Sequence, residues 1–121
     1  GGAIGGAIGA GVGWFKDTFC FITTATVITL GKDNTCYELN MMRLFRDNWV
    51  SKRKFGKRII KRYYKIAPKI VNRLNCLPDK NKIYNEIYNK YISPCVKFIE
   101  KEKYFKAYKL YSKMVNKLNN Q

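Results

Sequence analysis

Histidine is absent from these 121 residues, and its absence excludes Ser-His and Cys-His nucleophilic catalysis within the chain. Acids are scarce, 8 Asp and Glu against 24 Lys and Arg, so paired carboxylates for hydrolysis have few candidates. The four cysteines, Cys20, Cys36, Cys76 and Cys95, never fall as Cys-x-x-Cys. Zinc sites draw ligands from such close pairs and from histidine, so no metal is expected. No secretory signal is visible to give disulfides a context, and buried free thiols are the default. Asn-Gly and Asp-Gly are also missing, and without these hairpin signals no sheet is expected. The glycine run at the start lacks the Gly-Lys-Ser/Thr ending of a phosphate-cradling loop, and no cofactor is expected.

What is present is charge of one sign, unevenly placed. Residues 1–50 hold four basic and four acidic side chains, and residues 51–121 hold the remaining 20 basic and 4 acidic, so the whole net charge of +16 lies in the second part. Such an excess suits an anionic membrane surface, an acidic protein partner or nucleic acid. Composition bias alone would give the same abundance of lysine. At 46% apolar and 15% aromatic the chain is too hydrophobic for disorder and long enough for one modest core. It begins at Gly1 and not at Met, the start expected of a piece of a longer protein whose upstream domains would be further partners.

Residues 1–13 repeat glycine every four positions, with Ile4, Ile8 and Val12 on the next stripe. In lipid that spacing is a close-packing helix face, and Trp14 followed by Lys16 suits an interfacial anchor. In water the same glycine content suits a flexible linker. We read 1–15 as a truncated glycine-zipper membrane segment or a linker, 16–78 as a helical module and 79–121 as a basic helical hairpin. For 19–30, β-branching favours a strand, while Asp17 or Thr18 as cap and Gly31 as stop favour a helix. If Thr35 caps the next helix, Glu38 completes a capping box, and Leu39, Met42, Phe45 and Trp49 share one face.

A basic helix is expected over about 51–64, with Phe55, Ile59, Tyr63 and Ile66 inward and Lys54, Lys57, Arg58, Lys61 and Lys65 outward. Pro68 is expected to break it at Ala67, leaving a short helix with Ile70 and Leu74 before Pro78. Further on, Ile83, Tyr84, Ile87, Tyr88 and Tyr91 form one apolar face, with Pro94 as a kink or break. Tyr104, Tyr108, Tyr111, Val115 and Leu118 repeat the pattern over about 102–118. The fold class is therefore all-α, a small bundle of about five helices. Its first two helices are expected to pack together, with Phe21, Leu39, Met42, Phe45, Trp49, Ile59 and Tyr63 as core.

Four blocks stand in order across 20–68: Cys20-Phe21-Ile22-Thr23-Thr24-Ala25, Met42-Arg43-Leu44-Phe45-Arg46-Asp47, Gly56 with Tyr63-Tyr64, and Ala67-Pro68. This pattern resembles the CFI-box domain, a module found at the C-terminal ends of otherwise unrelated bacterial proteins, with no reaction assigned to it. The family's alanine-rich version of the first block implies a buried helix there, which is the reading taken for 19–30. The resemblance implies an interaction or targeting module that is not an enzyme, in a membrane-associated or cytoplasmic bacterial protein. The alternatives are a basic nucleic-acid-binding or effector domain, and a cysteine-dependent enzyme or autoprocessing element using Cys20. The Cys20 thiol would need a helix N-terminus or a nearby cation such as Arg43 or Arg46 to lower its pKa. Arg43, Arg46 and Asp47 either brace the first helices or present a fork for a partner's carboxylate or phosphate.

Overall fold

The computed structural model describes residues 20–121; the expected glycine-zipper segment at 1–15 lies outside them. Six α-helical segments follow: α1 (Phe21–Thr29), α2 (Tyr37–Asn48), α3 (Gly56–Asn75), α4 (Lys80–Ile87), α5 (Ser93–Glu100) and α6 (Tyr104–Asn119). A π turn, Tyr88–Ile92, joins α4 to α5 without a break, so the bundle has five rods. Among the described residues there is no strand.

The helix at α1 overrides the strand preference of its threonines through burial. Ile22, Thr23, Thr24, Thr26 and Val27 are all buried, and a buried hydroxyl must find a partner. Thr26 Oγ1 donates to the Ile22 carbonyl one turn back at 2.7 Å, which lets threonine sit inside a helix. The helix ends in paired reverse bonds, Gly31 N–H to Ile28 O and Lys32 N–H to Val27 O, with Gly31 at φ 86°. That closure requires a left-handed residue, which glycine supplies without steric cost.

Cys36 is the N-cap of α2 and has no side-chain cap bond, which corrects the expected capping box. The Thr35 N–H and hydroxyl both turn back to Asp33 Oδ1 at 2.7 Å. Glu38 is held elsewhere, by Tyr88 of the π turn and by Lys32 Nζ at 3.3 Å. The expected inward face of α2 is correct in Leu39, Met42, Phe45 and Trp49, all buried with Tyr63; Phe21 and Ile59 pack at the edge of the core instead.

The expected break at Ala67 does not occur. α3 runs through Pro68 for 20 residues to Asn75. Pro68 lacks the N–H that would bond one turn back and crowds the carbonyl there, a substantial cost in a helix interior. Against that cost stand Tyr63, Ala67, Ile70, Val71 and Leu74, buried on one face on both sides of the proline, and their packing keeps the helix whole. Pro94 acts differently: the π turn ends just before Ser93 and Pro94, absorbing the missing bond as a wider turn. α5 ends at Lys101 in a second reverse closure, with Glu102 at φ 58° and Lys103 N–H bonded to Phe98 O.

One core joins these rods. α1 packs against α2, α3, α4 and the π turn, and α5 packs against α2 and α6. α3 and α6 run side by side in the same direction: Phe55 packs against Tyr108, Tyr63 pairs with Ser112, and Arg73 bonds the Leu118 carbonyl.

Candidate anion-binding face

α3 carries seven cations and no acid, and α6 carries four and no acid. On α3, Lys57, Arg58, Lys61, Arg62, Lys65 and Lys69 are all exposed, opposite the buried stripe. Lys54, expected on this helix, is exposed in the turn that precedes it. Lys57 and Lys61, Arg58 and Arg62, Lys61 and Lys65, and Lys65 and Lys69 are like charges one turn apart. Each such pair costs a helix about 0.2–0.5 kcal/mol. The face therefore works against folding.

The α3–α6 packing widens this stripe into a two-helix surface. Arg62 donates to Asn116 Oδ1 across the seam at 3.2 Å, and Tyr63 Oη lies 3.1 Å from Ser112 Oγ. Burial pushes the Tyr63 hydroxyl pKa up, against the opposing Ser112 bond, so it stays a neutral donor at this seam. Lys109 and Lys113 of α6 lie exposed beside Ser112. Arg62, Lys69 and these α6 lysines extend the expected set. Their charge is legible in the sequence, whereas their adjacency comes from the tertiary pairing of two helices 50 residues apart.

The acids lie elsewhere, and several are held. Asp33 accepts from Thr35, Glu38 from Tyr88 and Lys32, Asp47 from Arg46, and Glu100 from Tyr37. Burial alone would raise the Glu38 pKa, but hydrogen bonds from Tyr88, its own backbone and Lys32 outweigh it and hold it below the model-compound value of 4.5. The bond to Glu38 raises Tyr88 to about 12. Glu38 and Asp47 are paired with Lys32 and Arg46, and Asp33 and Glu100 are held by neutral hydroxyls. None of these four acids lies on α3 or α6, so they leave that face uncompensated.

Arg43, Arg46 and Asp47 point into local braces. Arg43 reaches back to the α1–α2 turn, bonding Asn34 O at 3.0 Å and Asn34 Oδ1 at 2.8 Å. Arg46, 5% exposed, forks onto Asp47 with bonds of 2.8 and 3.1 Å. Cys20 stands at the N-cap of α1 and is fully buried, as is Cys95. The Cys95 thiol donates to the Ala107 carbonyl at 3.5 Å. Burial, with a smaller contribution from Cys20, pushes its pKa up to about 12. Neither thiol faces solvent.

A separate open groove of about 370 Å³ is lined by Met41, Leu44, Phe45, Trp49, Ile99 and Tyr104, together with Asn48, Glu100 and Glu102. Its lining is mainly apolar; of its two carboxylates Glu100 accepts from Tyr37, and no cysteine, serine, threonine or lysine stands beside them as a nucleophile. Among the described residues no three His, Cys, Asp or Glu side chains are grouped to hold a metal ion, and no helix is long and apolar enough to cross a membrane. Comparison of the chain with family models, with curated proteins and with solved structures gives no match.

Proposed function

We propose that this chain is a non-catalytic interaction module, CFI-box-like, which serves a larger bacterial protein by holding it against an anionic surface through the α3–α6 face. The observation that carries this reading is the segregation of charge: eleven cations and no acid on two adjacent helices, kept at a cost in helix stability. Lysine usage set by composition alone would scatter cations over all the helices and leave them beside acids.

The residues that carry the CFI-box resemblance support a module defined by its architecture. Cys20 and Tyr63 are buried, Arg46 is buried in a fork with Asp47, and Ala67 lies on the buried stripe of α3. A Cβ on Gly56 would lie 1.7 Å from the Val50 carbonyl oxygen. These are reasons of packing, and a signature built from them belongs to a fold that different proteins can carry. The nucleic-acid alternative rests on charge and on a single ring: Tyr104 and Tyr108 are half-buried and Tyr111 is buried, which leaves Phe105 as the exposed aromatic of α6 on which a base could stack.

Near an anionic membrane each Lys or Arg contributes about 1 kcal/mol. Loss of three such attractions is about 3 kcal/mol, roughly 100-fold, and reversal adds repulsion. Changing Lys57, Arg58 and Lys61 to Glu together is therefore expected to weaken co-sedimentation with phosphatidylglycerol-containing vesicles by about 100-fold or more. Unchanged binding by a variant that still folds would contradict the reading.

A further inference from the structure

The α3–α6 face has an apolar edge. Because the two helices run in the same direction, their N-terminal ends meet at one end of the face, where the Phe55 and Tyr108 rings pack tilted at 43° with centroids 5.0 Å apart. Phe105 projects there, 57% exposed. Its ring meets the buried Trp49 edge-on at 4.8 Å. Trp49 is in turn fixed by Phe45 at 5.6 Å and by the Arg53 guanidinium 4.7 Å above its ring. Phe105 is thus a water-exposed phenyl ring on a rigid aromatic base. Lys106 adjoins it and Lys109 follows one turn later on α6, both exposed, and Lys52 and Lys54 are exposed on either side of Arg53 in the segment before α3.

We infer that Phe105 is an interfacial anchor that enters the headgroup and acyl boundary of an anionic phospholipid bilayer while the α3–α6 cations lie on the headgroups. The inference rests on the reading of that face as anion-binding and adds the kind of surface and the residue that selects it. Two features suit a lipid surface. A phenyl ring has no hydrogen-bonding group to offer a phosphate, and the stacked bases of a duplex leave it no place, whereas an acyl layer receives it with a gain in free energy. An unpaired base is the other surface that would take it, by stacking, and the single-stranded arm of the test separates that case. Lysine stems flanking such a ring lie along the apolar layer and keep their ammonium groups at the phosphates. Charge gives attraction that salt weakens; the ring gives a share that salt leaves in place.

The test uses the chain with Phe105→Ser and Phe105→Trp, both at an exposed position, with unfolding midpoints compared to the parent. Vesicles of phosphatidylcholine mixed with phosphatidylglycerol, and single-stranded and duplex DNA, are titrated at about 0.1 M and about 0.5 M salt. At the higher salt Phe105→Ser is expected to bind the vesicles about tenfold more weakly and Phe105→Trp at least as tightly as the parent. DNA binding should not change in either variant. Equal vesicle binding by Phe105→Ser and the parent would overturn the anchor while leaving the charge reading intact. A loss confined to single-stranded DNA would overturn it in favour of base stacking. Failure of the charge-reversed Lys57, Arg58 and Lys61 variant to lose any binding would instead remove the reading beneath it.

Discussion

Gly56 shows how tightly one residue is held by its surroundings. It is buried at the start of α3 against the Val50–Lys52 3-10 turn, and a Cβ there would meet the backbone oxygen of Val50 at 1.7 Å and its carbonyl carbon at 2.8 Å. Backbone cannot swing aside as a flexible side chain does, so Gly56→Ala should destabilise the fold by about 2–3 kcal/mol in urea unfolding, the upper range for overpacking. A loss below about 0.5 kcal/mol would mean that the turn and α3 are not packed this way. Glu38 makes a second prediction at the same scale. Its pKa is lower in the folded chain than the model-compound 4.5, so its ionised form stabilises the fold above that value. This stability is lost as pH falls through the lowered folded value. Glu38→Gln should therefore be less stable than the parent at neutral pH, and the difference should shrink as acid protonates Glu38 in the parent. A difference that stayed constant across that window would contradict the Lys32–Glu38–Tyr88 arrangement.

At the scale of elements, the closure between α5 and α6 carries an avoidable strain. Glu102 occupies the left-handed position, φ 58°, that glycine fills after α1. Replacing Glu102 by Gly should raise unfolding stability by about 1 kcal/mol, because the left-handed conformation costs a side chain about that much. A decrease in stability would show that the Glu102 side chain contributes more than its backbone costs. The inward face of α2 was legible in the sequence because Leu39, Met42, Phe45 and Trp49 recur at helical spacing, a pattern that local geometry dictates. The passage of α3 through Pro68 was not. The proline penalty is local and visible, whereas the packing of Tyr63, Ile70 and Leu74 that outweighs it depends on helices elsewhere in the chain. The same holds for α1, where threonines that favour a strand by themselves are held helical by the burial of Thr23, Thr24 and Thr26 and by the Thr26 hydroxyl-to-carbonyl bond. Of the candidate face, Lys57, Arg58, Lys61 and Lys65 could be read from the run of cations on one helix. Lys109 and Lys113 could not, because only the seam of Tyr63 with Ser112 and Arg62 with Asn116 brings them alongside.

Across the whole molecule, charge is sorted: Glu38, Asp47 and Glu100 are drawn into contacts around α2 and α5, while α3 and α6 present cations alone. Summed over such a face, attractions of about 1 kcal/mol each are individually weak and collectively strong, and they fall steeply with salt. Phosphates of a duplex would answer the same charge, so vesicle binding and DNA binding must be set side by side. The decisive measurement is the affinity of the folded chain for phosphatidylglycerol-containing vesicles and for duplex DNA at one matched ionic strength, with the Lys57, Arg58 and Lys61 reversal as the control for the face. Tighter binding to the vesicles is expected, lost on charge reversal and absent with phosphatidylcholine alone. Tight binding to DNA with none to anionic vesicles would contradict it.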